Sequence, residues 1–141
     1  MLNKENNYKN KTILVTGGAG AIGSNLSCSL AKAGAAKVII LDDLSSSYEW
    51  NIPNHSNVLF VKGSITNDTD LKRVFRERPE YIFHLAAFFA NQNSVDYPEK
   101  DLLVSQLGTI KILEHAVLSR GIKRFVYAGS GCSIYGGQAP L

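Results

Sequence analysis

The 141 residues suffice for one domain with a single core, and 45% hydrophobic content with mean hydropathy near zero places the chain among water-soluble globular proteins. Of the net charge of +3, the first eleven residues (Lys4, Lys9 and Lys11 against Glu5) carry +2, so the rest shows neither the basic stripe nor the aromatic platforms of a nucleic-acid binder. No apolar run approaches the roughly 20 residues of a membrane span, the polar leader lacks a signal peptide's apolar core, and Cys28 and Cys132 stand in no metal-type spacing, so the composition predicts a cytoplasmic protein with free thiols, no metal site and no membrane contact.

Residues 1–11 read as a frayed polar tail, and a single domain follows from residue 12 to 141. Thr12 to Val15 is apolar or β-branched and reads as a strand that runs into a cluster of glycines. A helix from Ala21 to Ala33 follows, with Ile22, Leu26, Leu30 and Ala33 on one stripe. The glycines fit both G-x-G-x-x-G (Gly18, Gly20, Gly23) and G-x-x-G-x-x-G (Gly17, Gly20, Gly23). Strand, glycine loop and helix N-terminus together make a phosphate cradle. One glycine permits the turn, one lets the backbone approach a pyrophosphate, and one packs the helix closely on the strand, while free N–H groups and the helix dipole face the anion.

After Gly34 a second buried strand, Ala36 to Leu41, ends in Asp42 and Asp43. An acidic side chain at that strand tip can accept both hydroxyls of an adenine ribose. It would repel the additional 2′-phosphate of NADP, and Leu44 to Ser47 supplies no Arg or Lys to offset it, so NAD is the expected cofactor.

A polar loop with Tyr48, Trp50 and Pro53 leads to a strand over Val58–Val61, then to a helix from Thr69 to Arg78 that Pro79 ends. The run Tyr81 to Ala86 is almost continuously apolar, as a central strand covered on both faces should be. His84 within it reads as a packed core histidine, and His55 and His115 have no ligand-spaced partners. A long helix from about Glu99 to Arg120, closed by Gly121, precedes a fifth strand, Arg124 to Ala128, which opens into Gly129–Gly136. Alternation of strand and crossover predicts a Rossmann-like, doubly wound α/β fold with strand order 3-2-1-4-5 and a ligand at the strand C-terminal ends.

Taken together these stretches resemble the extended short-chain dehydrogenase/reductase family, which includes nucleotide-sugar epimerases and dehydratases. Thr16 to Gly23 resembles its T-G-x-x-G-x-x-G, Leu41-Asp42-Asp43-Leu44 its L-D-[DN]-L, and His84-Leu85-Ala86-Ala87 its H-L-A-A. Ser94 and Pro98 fall where its S-x-x-x-P does, and Gly108-Thr109 where its G-T does, so the likeness spans about residues 11–137. It implies that NAD is held by Gly17, Gly20, Ala21, Ile22, Gly23, Asp42, Asp43, Ser64, Ile65, Leu85, Ala86 and Ala87. It also implies a nucleotide-sugar substrate and transient hydride transfer between sugar and NAD. Phe125 to Ser130 resembles the end of the family's fifth strand, where a Ser or Thr hydrogen-bonds the reacting sugar oxygen. That implies a catalytic role for Ser130, with Ser133 as its rival because the stretch from Phe125 to Tyr135 is one residue longer than usual.

The sequence departs from the family pattern at Ser64, where an Asp usually meets the adenine, and at Ser105, where an Asn often stands. The family's base is a Tyr activated by a Lys four residues later, and none of the six tyrosines here has such a lysine. The expectation is therefore the cofactor half of an enzyme, cut after its fifth strand and inactive alone; the alternative is a non-catalytic NAD-binding module. An uncovered fifth strand, Phe125 to Tyr127, beside a helix bearing Leu102, Leu103, Ile110, Leu113 and Val117, predicts a homo-oligomer.

Overall fold

The computed structural model describes residues 7–88 and 91–129. Its strands are β1 (Thr12–Thr16), β2 (Lys37–Asp42), β3 (Val58–Lys62), β4 (Tyr81–His84) and β5 (Arg124–Tyr127). All pair in parallel into one sheet of order β3-β2-β1-β4-β5, as the alternation of strand and crossover predicts. Helices α1 (Ala21–Lys32) and α2 (Asp68–Phe75) are crossovers, and α3 (Asn91–Asp96), α4 (Pro98–Asp101) and α5 (Gly108–Leu118) lie between β4 and β5.

Alternation of side chains along each strand divides the core into two layers. Leu14, Ile39, Leu41 and Ile82 pack against Leu71, Val74 and Phe75 of α2 and Ile112 and Ala116 of α5. Ile13, Val15, Val38 and Ile40 face the other way, onto Leu30 and Ala31 of α1. Burial on both faces is why β1 and β2 are uninterrupted apolar runs, and each such side chain contributes about 1.5–3 kcal/mol. The order reverses between β1 and β4, and there the α1 and α5 crossovers diverge to opposite faces and leave a crevice at the strand C-terminal ends.

The boundaries depart from the sequence reading for local reasons. Leu85 N–H still donates to Thr16 O (3.1 Å), but Ala86 N–H turns to the Thr16 hydroxyl (3.3 Å), so β4 stops at His84 rather than at Ala86. Asn67 caps α2 by accepting from the N–H groups of Thr69 and Asp70, and Arg78, at φ +53°, has left the helix before Pro79. The long helix starts one residue early, with Pro98 in its first turn, and contains a π-helical turn, Leu102–Leu107, that no periodicity announced. β5 lies at the sheet edge with Tyr127 exposed, and Leu103, Ile110 and Val117 of the neighbouring helix also face outward. Among the described residues no helix is long and apolar enough to cross a membrane.

Candidate functional site

An open cleft of about 410 Å³ lies at the C-terminal ends of β1, β2 and β4. All twelve residues expected to hold the cofactor line it: Gly17, Gly20, Ala21, Ile22, Gly23, Asp42, Asp43, Ser64, Ile65, Leu85, Ala86 and Ala87. The structure adds Ser45, Ser46 and Ser47, Val104 from the π-helical turn, and Ala128 beyond β5.

The loop geometry separates the two glycine spacings. Gly17 has φ +68°, and a Cβ there would come within 2.8–2.9 Å of the Leu85–Ala86 backbone. A Cβ on Gly23 would overlap the Gly17 carbonyl oxygen, whereas one on Gly18 would meet chiefly the Ile40 side chain. The spacing that begins at Gly17 is therefore the one with backbone against the missing Cβ at both of its ends, Gly17 and Gly23. Gly20 is the N-cap of α1 and offers no side-chain acceptor, and the first turn carries no acidic residue. The leading N–H groups of α1 thus lack acceptors in the helix, and its positive end borders the cleft.

Asp42 does more than end β2. Its Oδ2 accepts from Ala19 N–H (2.9 Å), and its Oδ1 from Leu44 N–H (2.9 Å) and the Ser47 hydroxyl (2.8 Å). Asn51 also holds the glycine loop, donating from Nδ2 to Ala19 O (3.0 Å). A carboxylate has about four acceptor directions, so Asp42 keeps one free while it fastens β2 to the loop. Asp43 accepts from Ser45 N–H through Oδ1 (2.9 Å). The lining contains these two carboxylates and no Lys or Arg.

Ser64 is set by Asp70, whose Oδ2 accepts from Ser64 N–H (3.0 Å), and its hydroxyl bonds that of Thr66 (2.9 Å). His84 is buried, and that burial lowers its pKa to about 4, so the ring is neutral near pH 7. Ser130, Ser133 and Tyr135 lie outside the described residues. Cys28 is a free thiol whose Sγ stands 3.8 Å from His55 Nε2, and among the described residues no three His, Cys, Asp or Glu side chains gather as a metal site. Sequence reasoning did not reach Asn51 or Val104. A side chain bonding a backbone oxygen 32 residues away has no spacing signature, and the π-helical turn that carries Val104 has none either.

The sequence profile of the NAD dependent epimerase/dehydratase family matches residues 13–141. The chain is 43% identical over 127 residues to the UDP-glucose 4-epimerase of Mycolicibacterium smegmatis, covering 87% of this chain and 40% of that protein. Its fold superposes on the epimerase Mth375 of Methanothermobacter thermautotrophicus with a TM-score of 0.90 and 66% identity, over 93% of this chain and 38% of the other. The Bordetella bronchiseptica enzyme WbmF, solved in complex with NAD+, gives a TM-score of 0.83 and 35% identity, over 89% of this chain and 38% of WbmF. The chain thus spans 38–40% of the length of these relatives.

Proposed function

The chain belongs to the NAD dependent epimerase/dehydratase family, and from that premise we propose that it supplies the NAD-holding part of a nucleotide-sugar epimerase or dehydratase. The observation that carries this reading is the glycine loop, which lies so close to the Leu85–Ala86 backbone and to the start of α1 that no Cβ fits at Gly17 or Gly23, beside a helix N-terminus that lacks its own cap. The N–H groups of Ala21, Ile22 and Gly23 would hold the pyrophosphate. Asp42, through its remaining acceptor direction, and Asp43 would take the adenine ribose, with Ser64 and Ile65 beside the base and Leu85 to Ala87 along the dinucleotide. When bound, NAD supplies a hydride acceptor. Ser130, or Ser133, would hydrogen-bond the reacting sugar oxygen, and the proton of the sugar hydroxyl needs a base of matched pKa. No Tyr-x-x-x-Lys stands within these 141 residues, so the polypeptide 1–141 binds NAD and forms no NADH from a nucleotide-sugar.

Calorimetric titration of the polypeptide with NAD and with NADP tests this. NAD binds more tightly, because the two carboxylates meet no cation that could neutralise a 2′-phosphate. Asp42→Ala narrows the preference and also weakens NAD itself, since Ala19, Leu44 and Ser47 lose their common acceptor. Equal affinity of the unaltered chain for both dinucleotides would overturn the assignment. Among the described residues no strand pairs with the outer side of β5, and Leu103, Ile110 and Val117 face outward, which supports the further reading that in the polypeptide 1–141 a second copy covers this side. A monomer in sedimentation at low micromolar concentration would contradict it.

A further inference from the structure

The loop that carries Leu85, Ala86 and Ala87 along the cleft is held from behind by side chains that do not line it. Ala86 N–H donates to Thr16 Oγ1 (3.3 Å), and Phe88 N–H donates to Ser105 Oγ (3.2 Å). Thr16 ends β1, and Ser105 sits in the π-helical turn on the other side of the loop. His84 lies between them, with Nδ1 2.7 Å from Thr16 Oγ1 and Nε2 2.9 Å from Thr109 Oγ1.

Counting hydrogens fixes the direction of every bond. Thr109 donates its one hydroxyl hydrogen to Ser105 O (2.7 Å), so toward His84 it can only accept. The imidazole therefore carries its proton on Nε2 and presents a lone pair at Nδ1. Thr16 donates to that lone pair and accepts from Ala86 N–H. The bonds run in one sense from the Ala86 amide through Thr16, His84 and Thr109 to the Ser105 carbonyl, a chain in which each bond polarises the next. The Ser105 hydroxyl, receiving Phe88 N–H, passes its own hydrogen to Asp101 Oδ1 (2.7 Å). Two amides of the loop thus lead to Ser105, Phe88 directly and Ala86 through Thr16, His84 and Thr109.

We propose that His84, Thr109 and Ser105 are positioning residues for the cofactor site, locking the Leu85–Phe88 loop against the π-helical turn through this oriented chain. The inference rests on the reading of the cleft as the NAD site.

Thr109→Val keeps the shape of the side chain and removes the hydroxyl, while Thr109→Ser keeps the hydroxyl. In Thr109→Val the ¹⁵N shifts of His84 depart from the pure Nε2–H tautomer, and the Ala86 and Phe88 amides exchange with solvent roughly tenfold faster. The Kd for NAD rises about five- to tenfold, as expected for the loss of one or two hydrogen bonds. Thr109→Ser restores all three readouts. Ser105→Ala, which retains the backbone carbonyl, speeds exchange at Phe88 and leaves Ala86 protected, so the test stands even if Thr109→Val fails to fold. Unchanged His84 nitrogen shifts and wild-type exchange in Thr109→Val would overturn the proposal, as would faster exchange with unchanged NAD affinity. A wild-type chain that takes up no NAD overturns the reading of the cleft and the positioning role with it. Normal wild-type binding matched by Thr109→Val overturns the positioning role alone.

Discussion

Gly17→Ala loses both NAD binding and about 2–4 kcal/mol of stability. The left-handed backbone at φ +68° costs an L-residue about 1–2 kcal/mol, and the new methyl lies within 2.8–2.9 Å of the Leu85–Ala86 backbone, which cannot rotate away as a side chain could. Relief requires either the glycine loop or the Leu85–Ala87 loop to move, and both line the cleft. Gly20→Ala is the contrast. A Cβ there meets only the Gly17 carbonyl oxygen, at 3.3 Å, so stability falls little, while the methyl crowds the helix N-terminus at which the pyrophosphate is proposed to sit. Urea denaturation and NAD titration on the two variants separate the effects. Wild-type stability in Gly17→Ala would contradict the geometry of the loop.

The second large effect is one of pH. His84 is held neutral by burial, with a pKa of about 4 in place of the usual 6.5. Between those values the unfolded chain binds a proton that the native chain refuses. Stability is therefore full above pH 6.5 and falls as the pH drops toward 4, by about 3 kcal/mol over the window. His84→Gln titrates nothing there; it is less stable at neutral pH, through the broken hydroxyl chain, but its stability does not follow that slope. Asp68 acts in a lower window. Hydrogen bonds from Lys72 and His115 lower its pKa from 3.8 to about 2, so its contribution is present above pH 3.8 and lost as the pH falls through 2. Urea midpoints measured from pH 7 to 3 on the wild type and His84→Gln check the first window. Parallel curves would contradict a neutral buried imidazole.

What the sequence made legible was whatever is written in local order. Ile13 to Val15 and Val38 to Leu41 are apolar without a break because both faces are covered, and glycines between strand and helix announce a backbone that something approaches closely. The strand order followed from the crossovers. Helix ends were harder to read: Pro79 and Gly121 looked like the stops, yet Arg78 and Arg120 take the left-handed conformation just before them. The work of Asp42 was half visible. Its place at a strand tip pointed to a ribose, but its bonds to Ala19 and Ser47 depend on how the loops fold back. His84 read correctly as a core histidine, but its partners Thr16 and Thr109, 68 and 25 residues away, are brought to it only by the β1–β4 register and the packing of α5. The residues proposed to meet the sugar oxygen, Ser130 and Ser133, lie outside the described residues.

Backbone amide resonances of the ¹⁵N-labelled chain, followed as NAD is added, report whether the cleft over β1, β2 and β4 holds the dinucleotide. Saturable shifts are expected at Gly17–Gly23, Asp42–Ser47, Ser64–Ile65 and Leu85–Ala87, with the N–H groups of Ala21, Ile22 and Gly23 moving most. Resonances at the opposite end of the strands, where Lys11 and Lys123 pair with Glu80, stay in place. Saturating NAD that left the glycine loop unmoved, or that moved only that opposite end, would contradict it.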